Sequence, residues 1–233
     1  MASRFSATTN IVREFQARIE DPEFPCVGAK AAAAQHNLEF ELAGDLRSSH
    51  ADERLVGCLQ AFAAAAPADA VFVSKLVLFP STPRLHEAQF EQALWNRLGA
   101  LHAIDATRHT WDPSVSCDPE SPRFSMSIGG RAFYVIGLHP DASRPARRFH
   151  CAALVFNLHS QFETLRDDGR YEKLRETITE RDIAYSGSRN PMLATHGVAS
   201  EARQYSGRQV DHTWRCPFSA STGAPAPARN DGA

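Results

Sequence analysis

Apolar residues recur at helical spacing in several stretches of the chain. Ile11, Phe15 and Ile19 lie four positions apart and predict a first amphipathic helix. Residues 28–40 have the pattern of a short helix that leads into a strand. The helical spacing also predicts longer helices over residues 52–66, 85–104 and 161–182.

Three other stretches have the pattern of β-strands. Residues 71–79 are almost uniformly apolar and rich in β-branched side chains, which is typical of a central strand. Residues 123–138 divide into two strand-like runs around Gly129 and Gly130, and this predicts a hairpin. A short strand is expected over residues 154–156.

The order of these elements predicts a single α+β domain. We expect a mostly antiparallel sheet, covered on one face by helices, followed by a long irregular C-terminal segment. The domain is expected to cover residues 1–218, and the low-complexity residues 219–233 predict a flexible tail. A sheet with few covering helices would leave an apolar face, and a homodimer would bury it.

Composition and charge narrow the classes of function. The 233 residues carry 25 basic and 27 acidic side chains, and this near balance argues against a nucleic-acid-binding protein. The N-terminus has no apolar leader and no stretch reaches the length of a membrane span, so we expect no membrane partner. Five scattered cysteines without CxxC spacing make a disulfide framework or a zinc knuckle unlikely and favour the reducing cytoplasm.

The basic residues are nearly all arginines, since only three of the 25 are lysines. Codon usage in a GC-rich genome explains this bias, which also accounts for the many alanines. The functional alternative is that planar guanidinium groups are needed to hold carboxylates in two-point contacts. Both explanations can hold together.

The first candidate for chemistry is the segment that follows the hairpin. His139 comes at the end of a well-patterned strand, and a neutral imidazole is the commonest metal ligand in proteins. Arg144, Arg147 and Arg148 follow within nine positions and can neutralise two carboxylates. The alternative is a solvated basic loop in which the histidine side chain caps a backbone carbonyl.

Two further polar segments and one cysteine are weaker candidates. His159 lies where a strand turns into a helix, so it is either part of a helix cap or a ligand, proton shuttle or substrate contact. Residues 185–208 are dense in polar groups and include His196 and Glu201, which form either a salt-bridged loop or a binding surface. Cys26 offers a thiolate ligand or is simply buried.

Taken together, these segments resemble the YqcI/YcgG family of heme-dependent N-oxygenases. The blocks that carry the resemblance run in family order along most of the chain. They are Phe24–Ala32 (FPCVGAKAA), Gly137–Phe149 (GLHPDASRPARRF), Leu154–Tyr171 (LVFNLHSQFETLRDDGRY), Arg181–Gly197 (RDIAYSGSRNPMLATHG), Ser200–Arg208 (SEARQYSGR) and Trp214–Phe218 (WRCPF).

The resemblance implies a bound cofactor, heme b. It makes His139 the leading axial ligand of the iron, with His159 as the second candidate. Arg144, Arg147 and Arg148 become candidates for holding the two propionates.

The resemblance also implies an enzyme, a monooxygenase that hydroxylates a guanidine or amine nitrogen of a small arginine-like substrate. The reaction would use O₂ with electrons from a separate donor, or a peroxide, because no reductase domain is evident. A guanidinium substrate needs a carboxylate partner, for which Glu201 and Glu163 are the candidates, and His159 joins Glu201 as a catalytic candidate. The alternatives are a non-catalytic heme-binding sensor or carrier and a heme-free hydrolase.

Overall fold

Five strands form one sheet in the order β1-β2-β5-β4-β3. In this computed structural model, which describes residues 2–67, 69–193 and 198–220, β1 pairs with β2 in parallel and the other neighbours are antiparallel. The predicted α+β class with a mostly antiparallel sheet is therefore confirmed. The strands are β1 (Leu38–Leu42), β2 (Ser74–Phe79), β3 (Met126–Ile128), β4 (Arg131–Leu138) and β5 (Ala152–Leu158).

Helices account for much of the remaining described chain. The helices are α1 (Ala2–Glu20), α2 (Val27–Ala34), α3 (Asp52–Ala65), α4 (Glu87–Asp105), α5 (His159–Asp167), α6 (Tyr171–Ser186) and α7 (Ala202–Tyr205). The single helix predicted over residues 161–182 was wrong, since the structure divides this stretch into α5 and α6. Gly169 lies between them with φ of +68°, a left-handed backbone that glycine adopts without strain. None of the described helices is long and apolar enough to cross a membrane.

Both faces of the sheet are covered, so the expectation of helices on one face was also wrong. Side chains alternate between the two faces along each strand. On β4, Phe133 and Val135 join a core formed with α3 and α4, whereas Ile136 and Leu138 contact the apolar cluster that contains Phe15 of α1. A residue's position along β4 therefore determines which face of the sheet its side chain lies on.

Gly137 lets α4 lie directly against β4. A Cβ atom at this position would come within 2.7 Å of the Phe90 ring and 2.8 Å of Leu94. Non-bonded carbon atoms do not approach so closely, and the Phe90 and Leu94 side chains cannot move away in a densely packed core. The glycine thus sets the distance between the sheet and its longest packed helix.

The C-terminal segment is anchored by a buried carboxylate on α4. Glu91 accepts hydrogen bonds from the Ser206 hydroxyl at 3.0 Å, from Nε of Arg208 at 3.0 Å and from the Trp214 indole at 3.4 Å. Phe218 is buried in the core beside α4. These contacts hold the irregular segment against the domain and fix the position of α7. Residues 221–233 of the predicted tail lie outside the described residues.

Candidate active site

A cavity of about 350 Å³ lies on the sheet face that carries α1. Its floor is formed by alternate side chains of β1, β2, β4 and β5, and its walls by α1, the start of α2, α5, α6 and the chain before and within α7. Most of this surface is apolar. The floor residues are Leu38, Ser74, Leu76, Tyr134, Ile136, Leu138, Val155 and Asn157.

The cavity wall carries more positive than negative charge. The lining contains four guanidinium groups and two carboxyl groups, and two of the arginines, Arg166 and Arg175, also pair with the carboxylates of Glu163 and Glu172 outside the lining. The charged lining residues are Arg144, Arg147, Arg166, Arg175, Asp182 and Glu201. One pair is internal to the wall, since the Arg144 guanidinium donates to the Asp182 carboxylate at 2.5 Å.

Arg147 is the cation with the least charge compensation. Its guanidinium donates to three backbone carbonyls, those of Gly137 at 3.1 Å, Gln204 at 3.0 Å and Tyr205 at 3.3 Å. Among the described residues no carboxylate forms an ion pair with it, and burial lowers the pKa of Arg147 below its ordinary value. Gly207 has φ of +82°, and a Cβ there would lie 3.2 Å from Cγ of Arg147, so this glycine leaves room for the arginine side chain.

Gln204 links Tyr134 to Arg147 inside the cavity. The Tyr134 hydroxyl donates to Oε1 of Gln204 at 3.1 Å, the Arg147 guanidinium donates to the backbone carbonyl of Gln204 at 3.0 Å, and its charge opposes the rise in the pKa of Tyr134. Burial raises the pKa of Tyr134 well above its usual range, so the phenol keeps its proton. The three residues form one oriented hydrogen-bond network.

Glu201 provides a carboxyl group that changes charge near neutral pH. Burial raises its pKa to about 7, while Arg166 opposes the shift and Glu163 adds to it. A carboxyl group with this pKa can hold a cation when it is ionised and donate a hydrogen bond when it is protonated.

This raised pKa predicts that Glu201 weakens the fold as the pH increases. The folded protein keeps the proton up to about pH 7, whereas the unfolded chain releases it near the ordinary glutamate pKa of 4.5. Below pH 4.5 the carboxyl group is protonated in both states and does not change the free energy of unfolding. Between pH 4.5 and pH 7 it lowers the free energy of unfolding progressively, by about 3 kcal/mol in total. We expect Glu201→Gln to match the wild type at pH 4 and to exceed its free energy of unfolding at pH 8, in denaturant titrations without ligand. A constant difference at all pH values would contradict this.

Cys26 places a thiol in the same wall, at the N-terminus of α2. Its Sγ accepts a hydrogen bond from the amide of Ala29 at 3.4 Å, and burial raises the pKa of the thiol although Arg147 acts in the opposite direction. The segment before it is held by Arg181 of α6, which donates to the carbonyl of Phe24 at 3.1 Å. The thiol is thus fixed at the edge of the cavity.

The structure brings together only some of the residues that the sequence indicated. Arg144, Arg147 and Glu201 line the cavity. His139 does not, because it continues the β4 alternation on the α4 side, where its ring stacks on Phe90 at 4.3 Å between ring centroids. Its Nδ1 atom makes no hydrogen bond within the described chain. The geometry therefore gives no support to His139 as a ligand in this cavity.

The other histidines and Arg148 also lie elsewhere. His159 begins α5, outside the cavity lining, and its Nε2 lies 3.1 Å from Oε1 of Glu163, which is outside the lining too. Arg148 donates to the carbonyls of Ala142 at 2.7 Å and Ser143 at 3.0 Å, so it braces its own loop. His196 falls outside the described residues.

Sequence reasoning missed several cavity residues. Tyr134 carries no motif, and the sequence indicates Gln204 and Asp182 only as members of the blocks Ser200–Arg208 and Arg181–Gly197, without a role of their own. The period-two pattern of β4 contains a usable signal, since it separates Tyr134 from His139 by an odd number of positions and so places them on opposite faces. No comparable local signal places Gln204 beside Tyr134.

Comparison with known proteins gives a consistent result. A curated relative from Streptomyces lavendulae, named "Putative N(omega)-hydroxy-L-arginine synthase DcsA", is 28% identical over 230 residues, which covers 88% of this chain and 81% of the relative. No solved structure matches the chain. The model of the YqcI/YcgG family matches residues 15–219. Because this match covers most of the sequence, the chain belongs to the YqcI/YcgG family.

Proposed function

We propose that this protein is a heme-dependent N-hydroxylase that acts on a guanidine or amine nitrogen of a small arginine-like substrate. The name of the relative, a synthase of a hydroxylated arginine, supports the reaction class. The observation that carries the proposal is the lining of the cavity, which combines an apolar floor, an excess of arginines, a thiol and a carboxyl group that titrates near neutrality.

The charge of the wall fits heme b. Heme is a flat apolar macrocycle with two propionates, and the cavity offers an apolar floor with more arginines than carboxyl groups in its lining. Arg147 would meet one propionate, because the partners of its guanidinium in the described chain are neutral groups. Arg144 would meet the other while keeping Asp182 as a partner. Arg148 would act only indirectly, through the loop that it braces.

Cys26 is the residue that we assign as the axial donor. Its thiol lies in the wall, and a bound iron ion would take the thiolate even though burial raises the pKa of the free thiol. Thiolate-ligated heme supplies oxygen activation, because the electron-rich sulfur favours cleavage of the O–O bond. His139, which the resemblance makes the leading ligand, would have to cross from the opposite face of the sheet.

Glu201 would hold a cationic group of the substrate in the cavity. Leaving such a cation unpaired there would cost several kcal/mol. The overall reaction consumes one O₂, two electrons and two protons for each N–H that becomes N–OH, and the second oxygen atom leaves as water. The electrons come from an external donor, which we propose to be a separate redox protein or small reductant.

Hemin reconstitution followed by product analysis tests this proposal. Purified protein is titrated with hemin, and the loaded protein is incubated with reductant, O₂ and a panel of guanidines and amines, with products identified by mass spectrometry. We expect stoichiometric hemin uptake and a product one oxygen atom heavier on nitrogen. Folded protein that takes up no hemin would overturn the proposal. Hemin uptake without product from any compound would favour the sensor or carrier instead.

A further inference from the structure

The side-chain amide of Gln204 is held in one orientation. The Arg147 guanidinium, which acts on the pKa of Tyr134, can only donate hydrogen bonds and so offers the phenol hydroxyl no acceptor. The hydroxyl proton of Tyr134 then points to Oε1 of Gln204, 3.1 Å away. The backbone carbonyl of Gln204 accepts a bond from Arg147 as well, at 3.0 Å. The residue is therefore fixed at both its main chain and its side chain.

This orientation leaves the amide nitrogen of Gln204 as a donor on the cavity wall. With Oε1 engaged by Tyr134, Nε2 carries two N–H groups that bond to no atom in the described ranges. Gln204 is half-buried, and its amide donor lies on a mostly apolar wall. A bound molecule that covers this wall excludes water from the amide, which then needs an acceptor oxygen on that molecule.

Glu201 lies three positions before Gln204 and also lines the cavity. Ala202 and Tyr205, on the other side of the same short helix, are buried in the core, so the helix has one face in the core and one in the cavity. Residues three apart on a helix have their Cβ atoms about 5–6 Å from each other. A carboxyl acceptor and an amide donor therefore face the same small region.

We propose that Gln204 is a specificity-determining residue that binds the carboxylate of an α-amino-acid substrate, with Tyr134 as its positioning residue. A guanidinium group has only donors, so it cannot satisfy Gln204. An α-amino acid carries its ammonium and carboxylate on one carbon, and these match Glu201 and Gln204 respectively. The substrate side chain then extends from α7 into the rest of the cavity. The inference takes the reaction at the substrate nitrogen from the proposed function, whereas the binding of the carboxylate by Gln204 does not depend on that reaction.

Two matched pairs of ligands test the inference. L-Arginine and agmatine differ only in the carboxylate, and so do L-lysine and cadaverine. Calorimetric titrations of the full-length protein, with and without hemin, measure the dissociation constant of each. The wild type is expected to bind the carboxylate-bearing member of each pair at least about tenfold more tightly, as for a hydrogen bond to a charged group.

Variants assign that preference to Gln204. We expect Gln204→Leu to abolish the preference by weakening the binding of the two amino acids, while the binding of the two amines stays the same. Gln204→Glu should reverse the preference, because its carboxylate repels that of the amino acid. Tyr134→Phe should reduce the preference while agmatine binding and the heme spectrum stay unchanged. Gln92→Leu, at an exposed position on α4, is the control and should change nothing.

The outcomes separate this inference from the proposed function. A wild type that binds both members of each pair equally, or binds none of the four ligands, overturns the role of Gln204. The same conclusion follows if Gln204→Leu weakens the binding of both members of each pair by the same factor. Absence of hemin uptake instead contradicts the proposed reaction, and the hemin-free titrations still decide what Gln204 recognises.

Discussion

Replacing Asp52 with alanine is expected to lower the free energy of unfolding by about 3–5 kcal/mol, the loss typical of breaking a buried ion pair. Asp52 and Arg97 form this pair between the start of α3 and the middle of α4, and their side chains are 4% and 3% exposed. Removing the carboxylate leaves the Arg97 guanidinium buried, with the carbonyl of Leu46, at 2.9 and 2.7 Å, among its remaining partners. Urea denaturation of wild type and variant measures the loss.

A double variant distinguishes loss of the pair from loss of packing. Arg97→Met alone should also destabilise the protein strongly, but Arg97→Met combined with Asp52→Ala should cost less than the sum of the two, because no charge then stays buried. The exposed pair of Arg47 and Asp45 is the control, and Arg47→Met should have a far smaller effect. Additive losses in the double variant would show that the two charges do not act as a pair.

The local elements of this fold follow from the sequence because each depends on near neighbours in the chain. The amphipathic spacing around Phe15 predicts α1, and the apolar run over 71–79 predicts β2, although the strand begins at Ser74. The failure at Gly169 has a local cause too. A helical pattern continues on both sides of it, and the pattern does not reveal that this glycine takes a left-handed backbone.

The candidate site was harder to predict because it joins distant segments. Arg144, Arg147 and Glu201 could be nominated from their charges alone, and all three line the cavity. Their partners could not, since the contact of Tyr134 with Gln204 spans 70 positions and depends on how the C-terminal segment crosses the sheet. That path is set by buried contacts such as those of Glu91, which leave no periodic trace in the sequence.

The largest functional effect is expected from Cys26→Ala, which should lose stoichiometric hemin binding. The thiol is the sulfur donor on the described cavity wall, and its removal would leave the iron without the ligand that we assign. Cys151→Ala is the matched control, because Cys151 is also buried, with its pKa raised to about 11, yet it lies outside the cavity lining. Absorption spectra during hemin titration compare the two variants with the wild type.

His139→Ala completes the test, because it addresses the ligand that the resemblance favours. The His139 ring packs on Phe90 behind the sheet, so its removal should reduce stability while the heme band persists. Thiolate and imidazole ligation also give different spectra for the reduced, carbon-monoxide-bound protein, so the wild type alone reports the donor. A normal heme band in Cys26→Ala together with a bleached His139→Ala would assign the iron to the histidine. It would also require that the segment after β4 refold around the cofactor, since the ring now packs on Phe90 and lies outside the cavity lining.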